Sequence, residues 1–309
     1  MRGIRIGVGV ADPGGAALDA LFGQIGAAEQ AGFQSVWIAN IFGVDAMTLA
    51  ALGGRATSRI EIGTAVVPTY SRHPFYAAQQ ALTTQAACGG RFALGLGPSH
   101  QVVIENMLGL SYAHPARHVE EYTRVVTDLA RTGKTSFSGK VYRVNASLSV
   151  ACDSPPPVLL GALGPRMRRI AGAIADGTIT WMTGRRTLAE EVGPGVRAAA
   201  REAGRPEPRV VAGIPVVVTD DPAGAREAAS KLFAIYGTLP SYRKMLDAEG
   251  AAGPGDLALA GDAAAIERAI RAFAEAGVTD FHAAVYPYGP DPKGSVRRTQ
   301  ELLGELARA

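Results

Sequence analysis

Short apolar runs alternate with longer stretches of helical spacing along the whole chain, a pattern that calls for a parallel sheet with helices packed on it. Residues 4–10, 35–39, 60–67 and 92–96 read as strands, bounded by turn residues as strands buried on both faces are. Residues 18–31, 46–57 and 74–88 read as helices, the last with proline at its first position, where a missing N–H costs nothing. The rhythm breaks after Gly97. Residues 98–116 hold a small helical piece, a long helix covers 115–131, and residues 135–144 alternate like a hairpin turning at Ser138 and Gly139. Strands then return at 158–160, 178–181, 210–218 and 280–286, with helices at 165–175, 187–203, 263–276 and 295–307 and further helical segments at 221–236 and 241–249.

Eight strands, each followed by a helix, predict a (β/α)8 TIM barrel as one domain over 1–309, with insertions at its C-terminal face around 98–116, 132–156 and 236–262. An open doubly wound sheet is the second topology. With 6% aromatic residues, the core has to be built from Val, Ile, Leu and Ala. The net charge of +3 is spread along the chain, which argues against a nucleic-acid surface. Cys88 and Cys152 have no metal or disulfide spacing, as suits a reducing compartment. Neither a signal-peptide pattern nor an apolar run of about 18 residues is present, so a soluble cytoplasmic protein without a membrane partner is expected.

In such a barrel the chemistry lies at the C-terminal ends of the strands. The five lysines fall away from those ends, so a Schiff-base nucleophile is not expected, and no Gly-x-Ser-x-Gly elbow occurs. His114 and His118 have an i, i+4 spacing but no acidic partner between them; they read as an exposed helix start, and no metal site is predicted. The strand ends are rich in glycine instead. Gly95-Leu96-Gly97 lets the main chain approach a ligand closely. Gly161–Gly164 ahead of Pro165 offers free N–H groups at a positive helix end, and Arg166, Arg168 and Arg169 follow in the first turns. Two such ends in one barrel suggest a phosphorylated cofactor.

The runs Gly63-Thr64-Ala65-Val66-Val67-Pro68, His73-Pro74 and Gly89-Gly90-Arg91-Phe92-Ala93-Leu94-Gly95-Leu96-Gly97 resemble the luciferase-like monooxygenase superfamily. Gly97-Pro98-Ser99-His100, Leu159 through Met167 and Asp176 through Gly184 are similar to its actinobacterial branch dependent on coenzyme F420, a deazaflavin. The resemblance covers almost the whole chain in motif order. It implies an oxidoreductase, commonly a homodimer, that transfers a hydride between deazaflavin C5 and a small organic substrate.

It further implies a non-proline cis peptide at Ala65–Val66 behind the cofactor ring, and contacts to the ribityl chain and phosphate from Gly97, Ser99, Ala162, Leu163, Gly164 and Met167. Alcohol and sugar-phosphate dehydrogenases of that branch carry an Asp-His pair after strand 2 and a glutamate after strand 4. Here Asn40 and Ile41, and His100, stand at those positions, which favours a reductase of an activated C=C or C=N bond. Asn40 is expected beside the cofactor, His100 and His73 as candidate catalytic residues, and Tyr70, Trp181 and Tyr288 around the substrate. An FMN-dependent monooxygenase is the alternative, and a catalytically silent flavin-binding barrel the second.

Overall fold

The structure, a computed structural model, describes residues 3–12 and 14–309. Its barrel strands are β1 (Arg5–Gly9), β2 (Ser35–Ile38), β3 (Glu61–Thr64), β4 (Phe92–Gly97), β5 (Val158–Leu160), β6 (Gly177–Trp181), β7 (Arg209–Val218) and β8 (Asp280–Val285). Each pairs in parallel with the next, and β8 pairs with β1, so the sheet is closed. Closure decides between the two topologies of the sequence reading. Around it lie α1 (Leu18–Ala31), α2 (Ala46–Ala56), α3 (Pro74–Ala87), α4 (Pro115–Thr132), α5 (Pro165–Ile174), α6 (Gly193–Glu202), α7 (Ala263–Glu275) and α8 (Pro292–Arg308). The main core lies between strands and helices, where Ile6, Ile62, Leu94, Leu160 and Ile214 are fully buried against helix residues such as Leu21, Met47 and Ile270.

The lumen is packed differently. Trp37, Ala93, Leu159, Ile179 and Val211 meet there, with Ala65 and Val66 against them. Glycines make the room: a Cβ on Gly63 or Gly7 would run into the Trp37 indole. At the N-terminal end, Arg5 and Arg209 each bridge Glu61 and Asp280, at N–O distances between 2.6 and 3.2 Å.

Four local features depart from the sequence reading. The third strand is not continuous over 60–67; it stops at Thr64 and resumes as Val67–Pro68, which pairs with β4. The helix expected over 187–203 opens with a short turn and a π-helical stretch at Leu188–Val192 before α6. The helix expected over 221–236 breaks at Phe233 into Pro222–Leu232 and Ala234–Thr238. Leu259–Gly261, unexpected as a strand, pairs with the end of β7, and Thr219 N–H donates to the Gly261 carbonyl at 2.9 Å. The segment between them, including helix Pro240–Glu249, therefore leaves and rejoins the barrel at one place.

The hairpin pairs Lys134–Ser138 with Arg143–Ser147 and lies back along α4. Glu121 on that helix accepts the N–H groups of Lys140, Val141 and Tyr142, which pins the hairpin tip near the start of α4. Among the described residues no helix is long and apolar enough to cross a membrane.

Candidate active site

The peptide between Ala65 and Val66 is cis, at the position the resemblance implies. It is fixed on both sides. Ala65 N–H donates to the Ile38 carbonyl on β2 at 2.8 Å. Across from it, the Thr64 hydroxyl donates to the Gly95 carbonyl at 3.0 Å and accepts the Gly95 N–H at 2.9 Å. Only glycine fits opposite. A Cβ on Gly95 would collide with the Thr64 carbonyl, and one on Gly97 would sit 2.6 Å from Val66 Cγ2. The result is a bulge of the third strand pressed against Gly95 and Gly97 of β4.

β4 leaves through Ser99, whose φ of 60° is rare for a residue with a side chain, and Tyr112 donates its hydroxyl to the Ser99 carbonyl at 3.0 Å. His100 follows, its ring 5.7 Å from that of Tyr242. Burial lowers the His100 pKa from its ordinary value. Past the end of β5 come Gly161 and buried Ala162, then Leu163 and Gly164 lead into α5. No side chain caps α5, so the first-turn N–H groups of Arg166 and Met167 have no intrahelical acceptor, and the space over Gly164 is open. The arginines that follow are partly committed: Arg168 is buried and paired with Glu191 at 3.0 Å, and Arg166 approaches Glu120 at 3.7 Å.

The remaining expected residues fall into three groups. Tyr70 stacks on His118 with ring centroids 3.7 Å apart, and Tyr112 stacks on its other side at 5.2 Å. The Tyr70 hydroxyl is buried with no hydrogen-bond partner. His118 is therefore not at an exposed helix start. It is 5% exposed, its Nε2 is 3.0 Å from the Thr69 hydroxyl, and burial pushes its pKa down to about 4. His73 is exposed and caps α3, its Nδ1 accepting the Phe75 N–H at 3.3 Å. Trp181 belongs to the second group, with Phe233, Tyr236 and, through Tyr236, Tyr242 beside His100. Tyr288 is in neither: its hydroxyl donates to Asp221 at 2.5 Å and its ring packs under helix Pro222–Leu232. Asn40 accepts the Ala46 N–H at 3.0 Å and so ties the β2 loop to the start of α2.

His282 on β8 escaped the sequence reading. Its ring lies in the lumen, 6.0 Å from Trp37 and 6.5 Å from Trp181. The available signal was the set of glycines, Gly7, Gly9, Gly63 and Gly213, spaced along strands that face two tryptophans. Among the described residues no group of three or more His, Cys, Asp or Glu side chains is placed to hold a metal.

The barrel is closed and parallel, its third strand carries a cis bulge packed on the glycines of β4, and the start of α5 is open over Gly164. The chain belongs to the luciferase-like monooxygenase family, whose model matches residues 4–280. A Mycobacterium tuberculosis protein provisionally named a coenzyme F420-dependent oxidoreductase is 30% identical over 69% of this chain, and the match takes in 66% of that relative. The 5,10-methylenetetrahydromethanopterin reductase of Methanopyrus kandleri is 29% identical over 58% of the chain and 56% of its own length. Among solved structures, an F420-dependent secondary alcohol dehydrogenase superposes with a TM-score of 0.81 over 98% of this chain and 97% of its own, at 22% identity, a likeness of fold.

Proposed function

We propose that this chain is a coenzyme F420-dependent oxidoreductase that reduces an activated C=C or C=N bond of a small organic substrate by hydride transfer. The observation that carries the reading is the backing made by cis Ala65–Val66 against Gly95 and Gly97. In this reading Ala65 and Val66 support the ring, and Gly97 and Ser99 border its ribityl chain. Ala162, Leu163, Gly164 and Met167 receive the phosphate at the uncapped start of α5, and Asn40 holds the β2 loop beside it. F420 bound there supplies a two-electron hydride carrier at a single carbon. The name of the Mycobacterium tuberculosis relative supports F420 over FMN.

The direction follows from what the β2 loop lacks. Ile41 is 61% exposed and apolar, and the Asn40 carboxamide is engaged with Ala46, so neither can take a proton from an alcohol. A reduction needs an oriented cofactor and one proton donor. Of the two candidate histidines, His73 is occupied as a helix cap, whereas His100 faces the aromatic group that contains Trp181; His100 is the proposed donor, with Trp181 and Tyr70 as substrate walls. The chain is proposed to work as a cytoplasmic homodimer, which sedimentation and cell fractionation would test.

The test of cofactor identity is to titrate the protein with F420 and with FMN separately and follow their fluorescence. F420 is expected to bind more tightly; tight FMN binding without F420 affinity would overturn the reading. His100→Ala is expected to slow turnover by roughly a hundredfold or more while F420 affinity changes less than about twofold. Unchanged turnover would remove His100 as donor.

A further inference from the structure

His282 is 9% exposed, its ring lies in the barrel lumen, and neither ring nitrogen has a hydrogen-bond partner among the described residues. Neither nitrogen is among the fully buried side-chain atoms that lack a partner, so solvent in the lumen still reaches them. The buried His118, by contrast, is satisfied by Thr69. Glycines make room for the His282 ring itself: a Cβ on Gly9 would sit 2.9 Å from Nε2, and one on Gly213 would sit 3.2 Å from Nδ1. A larger residue at Gly9 would crowd Nε2. Nearby, Trp181 Nε1 is turned toward Tyr236 but completes no hydrogen bond of normal geometry.

We infer that His282 anchors the reacting end of the substrate, its imidazole hydrogen-bonding the carbonyl oxygen or imine nitrogen conjugated to the bond that is reduced. The inference rests on the reductase reading above. Burial alone pushes the His282 pKa down to about 4, with no charged group contributing, so at pH 7 the ring is neutral. A neutral imidazole presents one N–H and one lone pair, and it can donate to either heteroatom without a charge stranded in the lumen. The rings on either side set the rest of the ligand's character. Trp37 and Trp181 flank the imidazole, and Phe233 and Tyr236 extend the wall from Trp181 toward the mouth. The substrate class is thus a flat, largely apolar molecule with one hydrogen-bonding heteroatom at its inner end, such as a cyclic enone or a conjugated imine.

The chain has two tryptophans, Trp37 and Trp181, and both flank His282, so saturable quenching of intrinsic fluorescence reports occupancy of this place. The probe is cyclohexanone, a ring ketone that hydride transfer to a conjugated C=C cannot consume, with cyclohexane as the control lacking oxygen. It is titrated into the full chain with and without F420. We expect the ketone to bind wild-type protein more tightly than the alkane, and His282→Leu to weaken ketone binding about tenfold, the loss of one hydrogen bond. F420 affinity, read from cofactor fluorescence, is expected to change less than about twofold in the variant. His282→Asn should recover part of the affinity. Gly9→Ala keeps the imidazole but crowds Nε2, and is expected to act like His282→Leu, so the inference stays testable should the leucine variant not fold. Equal ketone affinity in wild type, His282→Leu and Gly9→Ala, or equal binding of ketone and alkane, overturns it. Failure of F420 to bind wild-type protein would instead strike the reductase reading, while the titration without cofactor still decides whether His282 anchors a ketone.

Discussion

At the N-terminal end of the barrel four charged side chains close on one another, whereas at the C-terminal end polar atoms are left without partners. Below, Arg5, Glu61, Arg209 and Asp280 form one network, and its carboxylates raise the Arg209 pKa above the usual guanidinium range. Above, the Tyr70 hydroxyl, Trp181 Nε1 and the His282 ring lack hydrogen-bond partners. The exposed large apolar residues gather at that end too: Ile41 and Phe42 after β2, Met107 and Leu108 after β4, Leu232 and Ile235 after β7. The same sheet thus ends in a plug on one side and an unfinished surface on the other. Satisfied groups hold a fold together; unsatisfied ones are what a ligand can complete.

The largest expected effect breaks the plug. Arg209→Leu leaves Glu61 and the 1% exposed Asp280 without their main partner, and should cost about 3–5 kcal/mol in chemical denaturation while F420 affinity stays within about twofold. A variant that folds normally but loses F420 would show that the two ends are coupled. Next comes the opposite case, Gly97→Ala. Its methyl group displaces Val66, so F420 binding should weaken about tenfold for a stability loss of roughly 1–2 kcal/mol. Unchanged cofactor affinity would show that the bulge does not back the ring.

The third prediction uses the buried histidines of the open end. His118 and His282 are each held to about 4 by burial, against an ordinary value near 6.5. Protons therefore bind the unfolded chain first. The histidines' contribution is complete above pH 6.5 and is lost as the pH falls from 6.5 toward 4, with denaturation midpoints declining as the unfolded chain takes up protons first and His100 adding in the same direction. His118→Asn should lower that slope by about one proton, and a flat profile across the window would mean that the rings are solvated. The smallest effect belongs to Tyr112→Phe, which deletes one hydrogen bond to Ser99 and should cost about 0.5–1.5 kcal/mol with little change at the plug.

The closed end was easier to read from the sequence than the open one. Strands such as β4 and β7 announce themselves because burial on both faces demands unbroken apolar runs. The break at Ala65–Val66 has no such signal, since two small apolar residues read equally as plain strand, and it was the resemblance that placed it. His118 was misjudged because the direction in which α4 presents it depends on where the hairpin and Tyr70 sit, a tertiary matter. His282 was passed over because one histidine in the run Asp280–Val285 reads as a tolerated exception among strand residues, and its neighbours Gly9 and Gly213 are far away in the sequence. Leu259–Gly261 is too short to stand out from a loop.

That short strand has an evolutionary meaning. Because the segment after β7 departs at Thr219 and returns at Gly261, which share a hydrogen bond of 2.9 Å, it is attached to the barrel as a handle is, by two feet set side by side. Closing such a chord costs little more entropy when the handle is lengthened. Recombination could therefore replace the whole cassette, Phe233, Tyr236 and Tyr242 included, and give the same hydride machinery a new appetite while the eight-stranded frame inherits no damage.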